Sequence, residues 1–109
     1  MVNEIERYTY RVTWSDEDEE FIGLCAEFPS LSWLASTSSQ ALKGIQTVVE
    51  ECAFDMSKNK EELPLAISAR NFSGKFMVRV PPEVHRHLAL EAAESGVSLN
   101  RIASAKLAR

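Results

Sequence analysis

The stretch Phe72-Ser73-Gly74-Lys75-Phe76-Met77-Val78-Arg79-Val80-Pro81-Pro82 limits this chain more than any other. Lys75 to Val80 alternates, so Phe76, Val78 and Val80 fall on one face of a strand and Lys75, Met77 and Arg79 on the other. The strand ends at two prolines and has no hairpin partner beside it. A lone strand leaves backbone N–H and C=O groups unpaired. The simplest remedy is a second copy, its strand antiparallel across a two-fold axis. The resulting ribbon has an apolar and a polar face. The DNA major groove admits a two-stranded ribbon, and Arg and Lys donate well to guanine O6 and N7. Lys75, Met77 and Arg79 are therefore the candidate base-reading residues.

Two helices follow. Pro82 suits a first helical turn, because its missing N–H has no intrahelical partner there. Val84, Leu88, Ala92 and the pair Leu90 and Ala93 supply an apolar stripe, and Gly96 reads as the residue just past the helix end. Ser98 is a good N-cap for a second helix carrying Leu99, Ile102, Ala103 and Leu107. A helix N-terminus offers free N–H groups and a favourable dipole to an anion. Ser98, Asn100 and Arg101 are the candidate phosphate contacts. On the Lys75–Pro82 run and the Gly96–Asn100 turn, residues 72–109 resemble the ribbon-helix-helix repressors of the Arc and MetJ type.

Charge divides the chain. Net charge is −4, but residues 1–69 hold 5 basic against 13 acidic side chains, and residues 70–109 hold 7 against 3. A basic C-terminal module for DNA and an acidic N-terminal one for a basic protein partner follow. No apolar run approaches the roughly 18 residues needed to span a bilayer, so no membrane role is expected. Met1-Val2-Asn3-Glu4 does not read as a signal peptide, and a cytoplasmic protein is the expectation. Cys25 and Cys52 lie far apart in apolar surroundings and read as buried reduced thiols.

The first module opens with alternation from Arg7 to Trp14, placing Tyr8, Tyr10, Val12 and Trp14 on one face. Ser15 to Glu20 breaks it, and Phe21 to Phe28 reads as the second strand of a hairpin, with Ile22, Leu24, Ala26 and Phe28 on one face. Asp16, Glu17, Asp18, Glu19 and Glu20 form a solvated turn that can also face a basic partner. Leu31 to Ala35 reads as a third strand. Thr37 with Gln40 is a capping box. Ala41, Leu42, Ile45, Val48, Val49, Cys52, Ala53 and Met56 then repeat at helical spacing, with Gly44 tolerated for close packing on the sheet. Leu63 to Ile67 reads as a last edge strand, and residues 68–71 as a linker.

The whole chain resembles a HicB-family antitoxin. The residues that carry this are Tyr10–Trp14, Asp16–Glu20, Ala26–Ser32, Thr37 with Ala41-Leu42, Leu63-Pro64 and Ser73–Phe76, in that order, with Ala35-Ser36 departing from the commoner turn. The resemblance implies an α+β fold: a small antiparallel sheet with one covering helix (partial RNase H-like) in residues 1–68, then a ribbon-helix-helix domain in residues 69–109. It implies a head that covers a small basic HicA-like mRNA interferase toxin, with Asp16 to Glu20 as candidate contacts. It implies a tail that represses its own operon by binding operator DNA. The expected assembly is a homodimer, with a higher oligomer through the N-terminal domains as a further option. No cofactor, metal or catalytic residue is expected. An RNase H-like head would need convergent carboxylates for catalysis, and Glu27, Glu50, Glu51 and Asp55 read instead as a strand residue and a solvated helix face. His85 and His87, two apart on a helix, do not face each other. The alternative is a stand-alone repressor whose N-terminal domain senses a ligand or aids oligomerisation.

Overall fold

Alternation in the first forty residues produces three antiparallel strands, β1 (Tyr10–Ser15), β2 (Glu20–Cys25) and β3 (Ser32–Ala35), ordered β1-β2-β3. A four-residue helix α1 (Glu4–Arg7) precedes them, and α2 (Ser38–Lys58) follows. The structure, a computed structural model, describes residues 3–109; Met1 and Val2, the start of the stretch read above as no signal peptide, lie outside the described residues. The fold is α+β and divides into two units, the first closing at Phe72 and the second spanning Ser73–Arg109. No helix among the described residues is long and apolar enough to cross a membrane.

Register fixes the faces. Tyr10, Val12 and Trp14 sit opposite Cys25, Gly23 and Phe21, and Gly23 and Phe21 in turn sit opposite Trp33 and Ala35. Directly opposed residues share a face, and this one receives α2. Its helix stripe is Ala41, Ile45, Val49 and Ala53, all buried. Two glycines allow the approach. A Cβ on Gly23 would clash with the Ala41 carbonyl oxygen, and one on Gly44 would clash with the Trp33 ring. Fully burying Ile45 and Val49 contributes on the order of 1.5–3 kcal/mol each. Tyr8, Cys25, Phe28 and Ala66 complete the core, with Tyr8 and Phe28 edge to face at 5.4 Å.

Four expectations are corrected. Arg7 belongs to α1, so the first strand starts at Tyr10. Asn3 makes this possible, accepting from the Glu6 N–H as an N-cap. The second strand stops at Cys25, because the Phe28 N–H turns back to the Cys25 carbonyl. The covered face of that strand is Phe21, Gly23 and Cys25, so Ile22 and Leu24 lie on the opposite side. Both parities of this strand are apolar, and only the glycine that admits α2 tells them apart. Finally, Leu63 to Ile67 forms no strand. It ends in a 3₁₀ turn at Ile67–Ala69 and is held by side chains instead of a ladder.

In the second unit α3 spans Pro82–Ser95 and α4 spans Leu99–Leu107. Gly96 takes the left-handed conformation at φ 67°, and the Val97 N–H reaches back 3.1 Å to the Ala92 carbonyl. This is the geometry glycine permits at a helix end. Lys106 and Glu91 pair at 3.1 Å across the two helices.

Candidate functional site

The segment leading into α3 is the most exposed apolar stretch of the described chain. Ser73 accepts from the Lys75 N–H at 3.1 Å, and Gly74 turns the backbone at φ 85°. Residues 75–80 then run without secondary structure, every one exposed. Phe76 and Met77 are 76% and 85% exposed, Val78 is 54% and Val80 is 41%. In a single chain these residues form no ladder. Lys75, Met77 and Arg79 are all presented to solvent.

The helices beyond bury little. Ala92 alone among the described residues of this unit is buried, while Val84, Leu90, Leu99 and Leu107 are exposed. A unit of this size seldom holds together by its own core below about 40 residues without an oligomer, metal or disulfide. Apart from Met77, its large exposed apolar side chains are those that alternation and helical spacing assign to an inner face.

Ser98 caps α4 by accepting from the Arg101 N–H at 3.1 Å. The first N–H groups of a helix have no intrahelical acceptor, so this end faces outward with Asn100 and Arg101 in its first turn, both exposed. The structure thus places the three phosphate candidates together at one helix terminus. Glu83, Arg86, His87 and Leu90 line a shallow depression on α3.

The acidic loop of the first unit joins β1 to β2. Two of its members work within the turn. Trp14 Nε1–H donates to Asp16 at 2.6 Å, Ser15 donates to Asp18 at 3.0 Å, and the Asp18 N–H returns to Ser15 at 3.3 Å. Glu19 closes the turn at φ 54°. Glu17 and Glu19 are exposed, and Glu20 is half-buried as the first residue of β2.

Glu27 has a structural role that strand periodicity did not reveal. It is the buried charged residue among those described. Its carboxylate accepts from the Thr9 N–H at 2.8 Å, Thr9 Oγ1 at 3.1 Å and the Ile67 N–H at 2.9 Å. Burial alone would raise its pKa, but the Ile67 and Thr9 N–H donors outweigh burial and hold it below the ordinary value. Glu4 repeats the device at the Ala66 N–H, 2.6 Å away, and Tyr8 donates to the Pro64 carbonyl at 2.8 Å. Residues 64–68 are therefore fastened by side chains to α1 and to the segments flanking β1 and β2. Glu50, Glu51 and Asp55 are exposed on α2 and do not join Glu27. Cys25 and Cys52 are both free, but only Cys25 is buried as expected, Cys52 being half-buried on α2, and burial pushes the Cys25 thiol up. Burial likewise pushes Tyr10 up to about 12.

Neither the curated proteins nor the solved structures yield a match to this chain. Residues 61–107, which take in the fastened segment, the exposed apolar stretch and both helices of the second unit, match the HicB family model.

Proposed function

We propose that this protein is the antitoxin of a toxin–antitoxin pair. Its second unit dimerises as a ribbon-helix-helix and represses its own operon, and its first unit, a partial RNase H-like head, covers a small basic HicA-like mRNA interferase. The observation that carries the reading is the run of exposed apolar residues from Phe76 to Val80, inside the stretch that matches the HicB family. Those side chains, with Val84 and Leu90, need a cover, and a second copy supplies one of matching shape. Pairing two such segments antiparallel buries Phe76, Val78 and Val80 and turns Lys75, Met77 and Arg79 outward as a basic strip. The α4 N-termini would then clamp the flanking phosphates through Ser98, Asn100 and Arg101.

The acidic first unit suits a basic partner, and Glu17 and Glu19 at the hairpin tip are available to it. Opposite charge speeds encounter and selects the partner more than it adds affinity. The protein would work in the cytoplasm, without a cofactor or catalysis of its own.

Two measurements test this. Binding of the purified protein to DNA from upstream of its gene, across a salt series, should be sequence-selective and lost in Arg79→Ala. Co-expression with a small basic protein encoded beside it should abolish that protein's toxicity. Selective DNA binding without any such neutralisation would leave a stand-alone repressor.

A further inference from the structure

A surface helix with one buried stripe is ordinarily polar on its opposite side. The stripe of α2 is Ala41, Ile45, Val49 and Ala53. At 3.6 residues per turn, Phe54 projects roughly 160° round the helix from the middle of that stripe, and it is 65% exposed. It takes no part in the core. A single exposed apolar side chain is ordinary on a surface, but Phe54 is set apart by its surroundings. Glu50 and Glu51 stand to either side of it on the preceding turn, both exposed and neither with an ion-pair partner among the described residues. Lys58, one turn further on, holds its ammonium 5.6 Å from the centre of the ring. Glu51 also lines a groove of about 360 Å³ between α2 and β3, together with Trp33, Gly44, Thr47 and Val48. Ring and groove thus form one strip that meets at Glu51.

We infer that this strip is where the first unit grips its basic protein partner, and that the anchor is an arginine of that partner seated on the Phe54 ring between Glu50 and Glu51. The inference rests on the reading of the first unit as toxin-binding and names the surface that does it. An aromatic face attracts a cation, and the chain's own Lys58 already stands at this one. A guanidinium is the better occupant. It stacks flat on the ring while its planar fork of donors reaches carboxylates at its edges, which a single ammonium cannot match. From Glu50 to Lys58 the helix carries three acidic side chains against one basic. That balance selects a basic surface and repels a second copy presenting the same helix. The groove beside Glu51 then receives an apolar side chain of the same partner. Interface energy concentrates in a few aromatic and arginine contacts ringed by weaker ones, and the strip has that plan. The hairpin tip differs. Asp16 and Asp18 are bonded within the turn, and the Trp14 ring beside them rests edge to face on Phe21 at 5.1 Å. Glu17 and Glu19 are left to steer the encounter, and Phe54 holds the complex.

The test measures association and dissociation rates between the full chain and the small basic protein encoded beside its gene. Phe54→Ala should raise the dissociation rate about tenfold or more. It should leave the association rate and the Tm of the first unit unchanged, because the ring is exposed. Phe54→Tyr, which keeps a ring, should behave as the wild type. Lys58→Gln clears the ring and should tighten the complex severalfold, a gain that no loss of structure can mimic. Glu17→Lys with Glu19→Lys should slow association and leave dissociation alone. A dissociation rate that is unchanged in Phe54→Ala, or raised only by the reversals at the tip, would overturn the inference while the toxin-binding reading stands. A wild-type chain that does not bind the basic protein at all would overturn both. Phe54→Ala altering sedimentation of the chain alone, and not the stability of the complex, would assign the strip to self-association and overturn the inference as well.

Discussion

Removing the Glu27 carboxylate is the most decisive perturbation of the first unit. In Glu27→Ala the Thr9 and Ile67 N–H groups, now 2.8 Å and 2.9 Å from its oxygens, lose their acceptor, and Thr9 Oγ1 loses one as well. A buried N–H left without a partner costs about 1–3 kcal/mol. Both bonds are only part-buried and Thr9 is itself exposed, so water partly replaces the lost acceptor and the expected loss is about 1–3 kcal/mol. That is a large share of the roughly 5–15 kcal/mol that stabilises a typical domain. It corresponds to a fall in Tm of about 5–20 °C for a unit of this size. Glu27→Gln keeps an oxygen for one N–H but turns an amide donor towards the other, so its loss should fall between the wild type and Ala.

The assay is thermal and urea unfolding followed by Trp fluorescence, repeated from pH 8 to pH 3. Because Glu27 has its folded pKa below the unfolded value of about 4.3, its contribution is complete above about pH 5.5 and is lost as pH falls through the folded pKa. The gap between wild type and Glu27→Ala should therefore be constant from pH 8 to about pH 5.5 and close in more acidic solution. A Glu27→Ala protein within about 0.5 kcal/mol of wild type at pH 7, the range of ordinary surface changes, would refute the argument. So would a gap that widens in acid.

Other perturbations read other parts of the structure. Gly44→Ala, which in an exposed helix would stabilise by about 1 kcal/mol, should here destabilise and shift Trp33 fluorescence, because the new methyl falls on the indole. Thr37→Ala removes the acceptor of the Gln40 N–H at 3.2 Å and should cost about 1 kcal/mol by chemical denaturation. Arg79→Ala should cost about 1–3 kcal/mol of specific operator binding if the arginine is bidentate to guanine. Arg101→Ala should instead weaken all DNA sequences alike and flatten the salt dependence by about one unit of slope, measured by fluorescence anisotropy.

The sequence made some elements legible because local chemistry alone specifies them. Thr37 and Ser98 are caps in the structure as their side chains demand. Gly96 ends α3, and Gly44 sits where α2 meets an aromatic ring. The errors arose where the deciding interaction is long-range. Ile22 and Leu24 are as apolar as the residues that α2 covers, so periodicity could not choose a face, and only the fit of Gly23 against Ala41 and Ile45 does. Leu63 to Ile67 has strand composition, yet its N–H groups go to Glu4 and Glu27, carboxylates 62 and 40 residues away along the chain.

These side-chain fastenings bear on how the protein would work. A strand at this place would hold residues 64–67 by repeated backbone bonds that tolerate most substitutions. Here the hold depends on two carboxylates, Glu27 and Glu4, and on the Tyr8 hydroxyl. The segment they hold lies near the start of the stretch that matches the HicB family, and it leads directly to the exposed residues 70–80. The structure thus combines a fastened exit from the first unit with a free segment whose apolar face is unsatisfied in one chain. A chain built this way keeps the roles of its units separable: Glu27→Ala should loosen the first while leaving the alternation of residues 75–80 able to pair, and Val78→Asp should do the reverse. Finding that either variant abolishes both thermal unfolding of the first unit and selective DNA binding would mean that the two units fold as one, contrary to the division at Phe72 from which their roles are argued.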